Sequence, residues 1–287
     1  MLAPRRPERS RGRGGRRRIL TRRIPHPSAL IPLLVFACAQ PTPTTHETRR
    51  IVSLAPNVTE MIFAAGCGAK VVGTDNFSDY PEQVKRLPKV GGVEPDVEKI
   101  TSLHPDLVIA SSSNVHPNLR RALAAVRLPL LVITTDRLNQ IAPAMNAIQR
   151  SADCDAIVTI TTALERQRRR RARQPRVMFA VWTNPLYVAG RSTFIDDLLS
   201  LAGARNAVDA FGWPQYSLET FAAHPPDLLL YPNRSMTPDA IADLMRRSHV
   251  HIEAVAVDEN VFTRPGPRMV IAAADLNRIL DQWERVH

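Results

Sequence analysis

The chain carries the same short pattern twice, once in each half. Glu98 to Ala110 reads EKITSLHPDLVIA, and Glu219 to Tyr231 reads ETFAAHPPDLLLY. In both copies the glutamate precedes the aspartate of a Pro-Asp turn by eight residues, and an apolar run follows the turn. Each copy therefore predicts a helix, a turn and a buried strand. Because the two copies keep the same spacing, we expect two similar lobes related by duplication.

Short apolar runs alternate with helical patterns on either side of the middle of the chain. Residues 49–138 and residues 174–287 each follow a strand–helix–strand plan. Continuous apolar strands joined by helices are typical of a parallel sheet that is covered on both faces. We therefore predict an α/β fold with parallel sheets, an N-terminal lobe at residues 49–138 and a C-terminal lobe at residues 174–287.

The segment between the lobes, residues 139–173, reads as helical. Its main element is Asp155 to Arg173, in which Ile157, Ile160 and Leu164 form one apolar stripe at helical spacing. An aspartate can cap the start, and a run of arginines lies near the end, where the helix dipole favours cations. We predict one long helix here, about 28 Å long at ~1.5 Å per residue, that joins the two lobes.

Most of the net charge lies in the N-terminal segment. Residues 1–37 contain ten arginines and one acid, Glu8, so they contribute +9 of the formal charge of +11. The rest of the chain is nearly neutral, which argues against nucleic acid as a partner. The apolar run Ala29 to Ala37 is too short to span a bilayer. Residues 1–39 are therefore predicted to be an export signal.

The three cysteines leave some outcomes open. Cys38 lies where either signal cleavage or lipidation would occur, so the mature protein is either free or lipid-anchored outside the cytoplasm. Residues 40–48 are rich in Pro and Thr and are predicted to be a flexible tether. Cys67 and Cys154 fit no zinc motif. They form a disulfide in an oxidising compartment if the fold brings them together.

The first half also predicts where a ligand would bind. In parallel sheets, ligands meet the loops that follow the carboxyl ends of the strands. These loops contain Pro56 and Asn57, Phe77 to Tyr80, and Ser111 to Asn114. No serine lies in a nucleophile-elbow pattern, and no nucleophile–base arrangement stands out. We therefore expect a binding site and not an enzyme active site.

Five stretches together resemble one family. They are RIVSLAPNVTEMIFAAG, NFSDYP, GGVEPDVEKITSLHPDLVIAS, GWPQYSLETF and TRPGPRMVIAAADL, which span roughly residues 49–283. The sequence is similar to the periplasmic substrate-binding proteins of ABC importers for cobalamin and iron chelates. The resemblance implies two Rossmann-like lobes joined by a single long helix, with the ligand in the cleft between them. It implies a corrinoid ligand, an ABC permease with its ATPase at the inner membrane, and a monomer without cofactor or metal.

The resemblance also assigns roles to residues. Glu98 and Glu219 fall at the positions where this family forms salt bridges to arginines of the permease. Aromatic faces suit a large flat macrocycle, because they bury much area with little loss of entropy. The strand-end rule and the resemblance together predict these ligand-binding residues: Pro56, Asn57, Tyr80, Ser111, Trp182, Trp213 and Arg264.

The chain departs from the family pattern at three places. Two tryptophans expected on loops of the first lobe are missing, one near Gly92 and one at Ser111, and an acidic residue expected before Arg264 is Thr263. Haem, a ferric siderophore and a cobalamin precursor therefore remain alternatives to cobalamin. The alternative from another class is a metal- or nucleotide-using enzyme on the same fold, because fold alone does not fix function.

Overall fold

A computed structural model describes Thr48 and residues 50–287. The predicted export signal, Cys38 and residues 40–47 of the predicted tether lie outside the described residues. The first lobe (residues 50–137) contains a four-stranded parallel sheet with the order β2-β1-β3-β4. Its strands are β1 (Ile51–Ser53), β2 (Val71–Thr74), β3 (Leu107–Ser111) and β4 (Leu130–Ile133). Its helices are α1 (Pro56–Ala64), α2 (Val97–Ser102) and α3 (Pro117–Ala125).

The connecting segment (residues 138–175) contains α4 (Ile141–Ala152) and α5 (Ile160–Arg166). The second lobe (residues 176–287) has a sheet with the order β6-β5-β8-β9, and β7 pairs with β5. Its strands are β5 (Arg176–Thr183), β6 (Leu186–Val188), β7 (Arg205–Asn206), β8 (Leu228–Pro232) and β9 (Glu253–Val257). Its helices are α6 (Phe194–Leu201), α7 (Leu218–Ala223), α8 (Pro238–Ser248), α9 (Glu259–Phe262) and α10 (Met269–Val286). The predicted α/β class with two parallel sheets is confirmed, with the exception that β6 runs antiparallel to β5.

The repeated Pro-Asp turn plays the same structural part in both lobes. In the first lobe the backbone N–H of Arg50 donates to Asp106 Oδ2 at 3.0 Å, and the Asp106 N–H donates back to the Arg50 carbonyl at 2.8 Å. In the second lobe Arg176 and Asp227 make the same two bonds, at 2.7 and 2.8 Å. The turn thus joins the start of one strand to the start of its parallel neighbour, which explains why both copies keep the aspartate.

The single long helix predicted over Asp155 to Arg173 is wrong in extent. Only Ile160–Arg166 is helical within that stretch, and α4 precedes it as a separate helix. Asp153 ends α4 in the left-handed conformation (φ 52°), and a non-helical stretch with β-branched residues follows. The side chain of Ile157 is 88% exposed, so it does not belong to the buried stripe. The lobes are therefore joined by two shorter helices in series.

The arginine-rich stretch that was predicted to end this helix is not helical, and Arg171 within it is buried against α10. Its side chain is only 3% exposed, and its guanidinium lies 2.8 Å from carboxylate oxygens of both Asp281 and Glu284 in α10. A buried guanidinium needs such partners, because an unpaired buried charge is costly. The run therefore anchors the connecting segment to α10 instead of continuing α5 into solvent.

One hydrophobic core passes from lobe to lobe through the connecting segment. It includes Val58 and Ile62 of α1, Ile148 of α4, Leu198 of α6 and Leu276 of α10, all of them buried. Smaller clusters cover the outer faces of the two sheets. The fold thus joins the lobes by shared packing as well as by the chain itself. None of the helices in residues 50–287 combines the length and the apolarity needed to span a bilayer.

Cys67 and Cys154 form a disulfide, with Cα atoms 5.7 Å apart and a sequence separation of 87. The bond ties the end of α1 in the first lobe to the chain just after α4. A cross-link that closes so long a loop restricts the unfolded chain and typically stabilises a protein by about 2–4 kcal/mol.

Reducing this disulfide should lower the midpoint of thermal unfolding by about 10 °C, because about 3 kcal/mol of stability is lost. Differential scanning calorimetry with and without a thiol reductant measures the shift. A variant with both Cys67 and Cys154 replaced by alanine should melt at the lower temperature, and its midpoint should not change when the reductant is added. Equal melting of the oxidised and reduced protein would contradict the cross-link.

Candidate ligand-binding cleft

A cleft of about 510 Å³ opens between the two lobes. Its first-lobe wall comes from the chain just after β1, β2, β3 and β4, so it follows the strand-end rule. Its second-lobe wall comes from the start of α6, from the loop before Pro214 and from the segment after β9. Polar, aromatic and charged side chains and prolines line the cleft, among them Pro56, Asn57, Phe77, Ser111, Ser113, Asn114, Thr135, Asp136, Phe194, Trp213, Glu259, Asn260, Thr263, Arg264 and Pro265.

The structure brings five of the seven predicted ligand-binding residues to this cleft. They are Pro56, Asn57, Ser111, Trp213 and Arg264. Tyr80 instead lines a neighbouring depression with Pro267 and Arg268, and the Arg268 guanidinium lies 4.5 Å from its ring centroid. Trp182 lies near the end of β5, half exposed, and its indole N–H donates to the Asn184 carbonyl. It is not among the residues that line the cleft.

The first-lobe wall is held rigidly by its own polar contacts. Pro56 occupies the first turn of α1, where a missing N–H costs nothing. The Asn57 amide donates to Thr135 Oγ1 at 3.1 Å and reaches the Pro265 carbonyl of the other lobe at 3.4 Å. Ser111, the last residue of β3, shares a 3.0 Å hydrogen bond with Ser113. This wall therefore presents amide and hydroxyl groups at fixed positions.

Aromatic side chains from both lobes supply the apolar surface. Trp213 and Phe194 pack with ring centroids 5.4 Å apart and tilted planes. Phe77 lines the cleft from the first lobe and is 56% exposed. A side chain at Gly92 would meet the Phe77 ring at 3.3 Å. Phe77 therefore takes up the space beside Gly92, and it supplies an aromatic face where the resemblance led us to expect a tryptophan.

A buried network holds the loop that carries Phe77. The carboxylate of Asp75 accepts from the backbone N–H groups of Phe77 at 2.7 Å and Ser78 at 3.1 Å, and the Lys89 ammonium donates to the Ser78 carbonyl at 2.6 Å. Burial raises the pKa of Asp75, although hydrogen bonds from Ser78 and Phe77 and the charge of Lys89 oppose the shift. Burial also lowers the pKa of Lys89. The network fixes the loop that forms one side of the cleft.

Arg264 lies at the edge of the cleft in a cluster of ion pairs that crosses between the lobes. Its Nη1 lies 2.6 Å from Asp79 Oδ1 and 3.3 Å from Glu60 Oε1. Arg268 binds the same Glu60 carboxylate through two hydrogen bonds, one of 2.8 Å from its Nε. Arg234 lies 3.8 Å from Asp79 Oδ2. The acids come from the first lobe and the arginines from the second.

The pKa shifts in this cluster follow its ion pairs. Burial alone would raise the pKa of Asp79, but the hydrogen bond and charge of Arg264 and the charges of Arg234 and Arg268 outweigh it, so the pKa lies below its usual value. Burial alone would lower the pKa of Arg268, but the Glu60 carboxylate raises it. Asp79 and Arg268 are therefore charged at neutral pH. The resemblance led us to expect an acidic residue at position 263, where the chain has Thr263. Arg264 instead contacts two acids of the first lobe, Asp79 and Glu60.

Sequence reasoning missed several residues of the cleft. Phe77 and Asn114 lie in loops that the strand-end rule named, but no motif singled them out. Thr135 follows β4, where the same rule applies and could have found it. Phe194 begins α6, and its apolar side chain looks like a core residue in the sequence. Asn260 lies in the short helix after β9 and carries no sequence signal.

Metal ligands do not gather anywhere in the described part of the chain: no group of three or more His, Cys, Asp or Glu side chains there could hold an ion. Among the described residues that line the cleft there is also no His, Tyr, Cys or Met side chain. The cleft thus offers aromatic faces, amides, hydroxyls and a few charged groups. Such a site between two lobes suits the binding of a small molecule.

The fold and the cleft define a two-lobed ligand-binding protein. Residues 51–265 match the family described as "Periplasmic binding protein", and the chain belongs to this family. It is 28% identical over 264 residues to the vitamin B12-binding protein of Yersinia pseudotuberculosis, a match that covers 88% of this chain and 92% of that protein.

Solved structures agree with this assignment. The vitamin B12-binding protein BtuF of Vibrio cholerae has a TM-score of 0.67 and 26% identity, covering 82% of this chain and 97% of that one. The haem-binding protein RhuT from Roseiflexus sp. RS-1 has a TM-score of 0.65 and 28% identity, covering 80% and 97%. The fold is therefore shared by binding proteins with two different macrocyclic ligands.

Proposed function

We propose that the protein is an extracytoplasmic solute receptor that captures cobalamin, or a related corrinoid, in the cleft between its lobes. It delivers the ligand to an ABC-type permease, which its partner ATPase drives. It works in the periplasm or at the outer face of the inner membrane, as a monomer, and it does not catalyse a reaction. Membership of a family of periplasmic binding proteins supports the class and the compartment.

The chemistry of the cleft lining favours a corrinoid over haem. Haem iron in proteins is held by an axial His, Cys, Met or Tyr, and the described lining residues include none of these. The cobalt of cyanocobalamin needs no ligand from the protein. Its corrin ring carries neutral carboxamide groups, which match the amides and hydroxyls of Asn57, Ser111, Asn114 and Asn260. This is the single observation on which the choice of ligand rests.

Haem remains the second candidate, because several structural neighbours bind it. Tyr80, in the depression beside the cleft, offers a potential axial ligand, with its ring under Arg268 and half exposed. If Tyr80 holds the iron, haem has to extend from the cleft toward it. A ferric siderophore would need neither this tyrosine nor a flat aromatic wall.

Titration with cyanocobalamin, haem and a ferric siderophore in separate experiments tests the choice of ligand. Tryptophan fluorescence and thermal melting report binding. At about 100 times its dissociation constant, a ligand that binds only the native state adds ~2.7 kcal/mol of stability. We expect this response with cyanocobalamin. A response to haem alone, lost in the variant Tyr80→Phe, would instead support the second candidate.

Replacing Trp213 with alanine should weaken the binding of cyanocobalamin about 30-fold, since a buried aromatic contact is worth about 2 kcal/mol. Trp182→Ala removes the same side chain from the end of β5, outside the cleft, and we expect a much smaller change. Isothermal titration calorimetry on both variants separates the two positions. Equal losses would place Trp182 against the ligand, and no loss in Trp213→Ala would remove the cleft from the binding site.

Glu98 and Glu219 are proposed to dock the receptor on the permease. Each is the second residue of a short helix, α2 or α7, and each is exposed. These helices return the chain to the start of a parallel strand, so their first turns lie toward the carboxyl edges of the sheets. The loops at these edges also form the cleft. Docking through both glutamates would therefore set the cleft toward the permease.

A further inference from the structure

The charge of Arg264 is offset by carboxylates where it meets the cleft. Its guanidinium contacts the carboxylates of Asp79 and Glu60 and the carbonyl of Phe77, at 3.4 Å for the last. Contacts within the described part of the chain use three of its five N–H donors. Donors therefore remain for a ligand. Arg264 shares Glu60 with Arg268 and Asp79 with Arg234, so these two acids offset part of the positive charge of three arginines.

The other charged groups of the cleft are negative. Asp136 and Glu259 both line it, and Glu259 accepts a 2.6 Å hydrogen bond from the Ser235 N–H. Formally, the three arginines Arg234, Arg264 and Arg268 face four acids, namely Asp79, Glu60, Asp136 and Glu259, so a ligand meets hydrogen-bond donors without a net positive charge. A carbonyl of an amide can accept from such donors, whereas a carboxylate also meets the repulsion of the nearby acids.

We propose that Asp79 makes the cleft selective for neutral amide-bearing ligands over carboxylate-bearing ones by offsetting the charge of Arg264. The inference rests on the proposed function, because it concerns the same cleft and a corrinoid ligand. Asp79 does not line the cleft and acts through Arg264, so it is a positioning residue. It lies in an exposed loop with about a third of its side chain accessible, which makes it replaceable without disturbing the core.

The test compares cyanocobalamin with the monocarboxylic acids made from it by hydrolysing one peripheral carboxamide. These probes differ by one amide and one charge. The wild-type protein should bind cyanocobalamin more tightly than each acid. In Asp79→Asn, which keeps an acceptor for Arg264 but loses the charge, the preference should fall about tenfold for at least one acid. The change should shrink in high salt, since a charge effect is screened.

Two controls separate selectivity from damage to the fold. Asp79→Glu should restore the wild-type preference. Asp275→Asn removes one acid from an exposed pair with Arg278 in α10 and should leave the preference unchanged. If Asp79→Asn weakens cyanocobalamin and every acid by the same factor, or changes neither, the inference is overturned. If the wild-type protein binds none of the probes, the proposed function fails first, and that outcome is distinct.

Discussion

Replacing both Glu98 and Glu219 with alanine is expected to reduce cobalamin uptake by roughly tenfold or more, which is the order that electrostatic steering contributes to association rates. The affinity of the purified receptor for cyanocobalamin should not change, because neither residue lines the cleft. Uptake is measured in cells that depend on this receptor, and affinity by calorimetry. Each single variant should show a smaller defect, since one of the two contacts remains.

The surroundings of Glu98 and Glu219 in their helices support this role. In α2 the cap is Asp96, which accepts from the Lys99 N–H, and Lys99 pairs with Asp96 at 3.5 Å and not with Glu98. In α7 the cap is Ser217. Hydrogen bonds to its own backbone N–H and to Ser217 lower the pKa of Glu219, so it is charged at neutral pH. Both side chains are exposed and can therefore reach cationic partners.

A matched control removes two other exposed glutamates. Glu82 and Glu165 pair with Lys85 and Arg168 on the surface, so a double alanine variant has the same loss of charge. It should transport at the wild-type rate. Should the Glu98 and Glu219 variant instead lose affinity for the ligand, the docking assignment is wrong and these residues serve the cleft.

Glu60→Ala is expected to cost about 3–5 kcal/mol of stability, the range for removing one partner from a buried ion pair. The Glu60 side chain is 2% exposed, and its carboxylate binds Arg268 and contacts Arg264 across the lobe boundary. Without it, Arg268 loses its carboxylate partner and Arg264 keeps only Asp79, and each arginine is 14% exposed. Chemical denaturation measures the change in the free energy of unfolding.

Glu82→Ala serves as the comparison for this variant, because its ion pair with Lys85 is exposed and should contribute little. We also expect the cost of Glu60→Ala to be partly recovered when Arg268 is replaced by methionine in the same chain. A double-mutant cycle then gives the coupling between the two side chains. A change in stability no larger than that of Glu82→Ala would show that the buried pair does not form in solution.

Much of the fold could be predicted because its signals are local. A stretch of about ten residues is enough to encode each Pro-Asp turn, each apolar strand and each capped short helix. The repeat then indicated that the two halves form similar lobes. The extent of the connecting helix could not be predicted. Arg171 pairs with Asp281 and Glu284, which are more than a hundred residues away in the sequence. The side chain of Ile157 is exposed and does not pack in the core. No local pattern reveals either fact.

The site was predictable in part for the same reason. The strand-end rule places Pro56, Asn57 and Ser111 correctly at the cleft, because each directly follows or ends a strand. It cannot tell which way a loop side chain turns. Tyr80 and Phe77 share one loop, yet Phe77 lines the cleft and Tyr80 stacks under Arg268. That choice depends on the ion pairs between the lobes, which no local pattern reveals.

The hydrophobic core that runs through α1, α4, α6 and α10 bears on how such a chain could arise. Each half covers an apolar face of the other, so an ancestor with a single half would have left that face open to water. Two copies of such an ancestor would have had to associate before their genes fused.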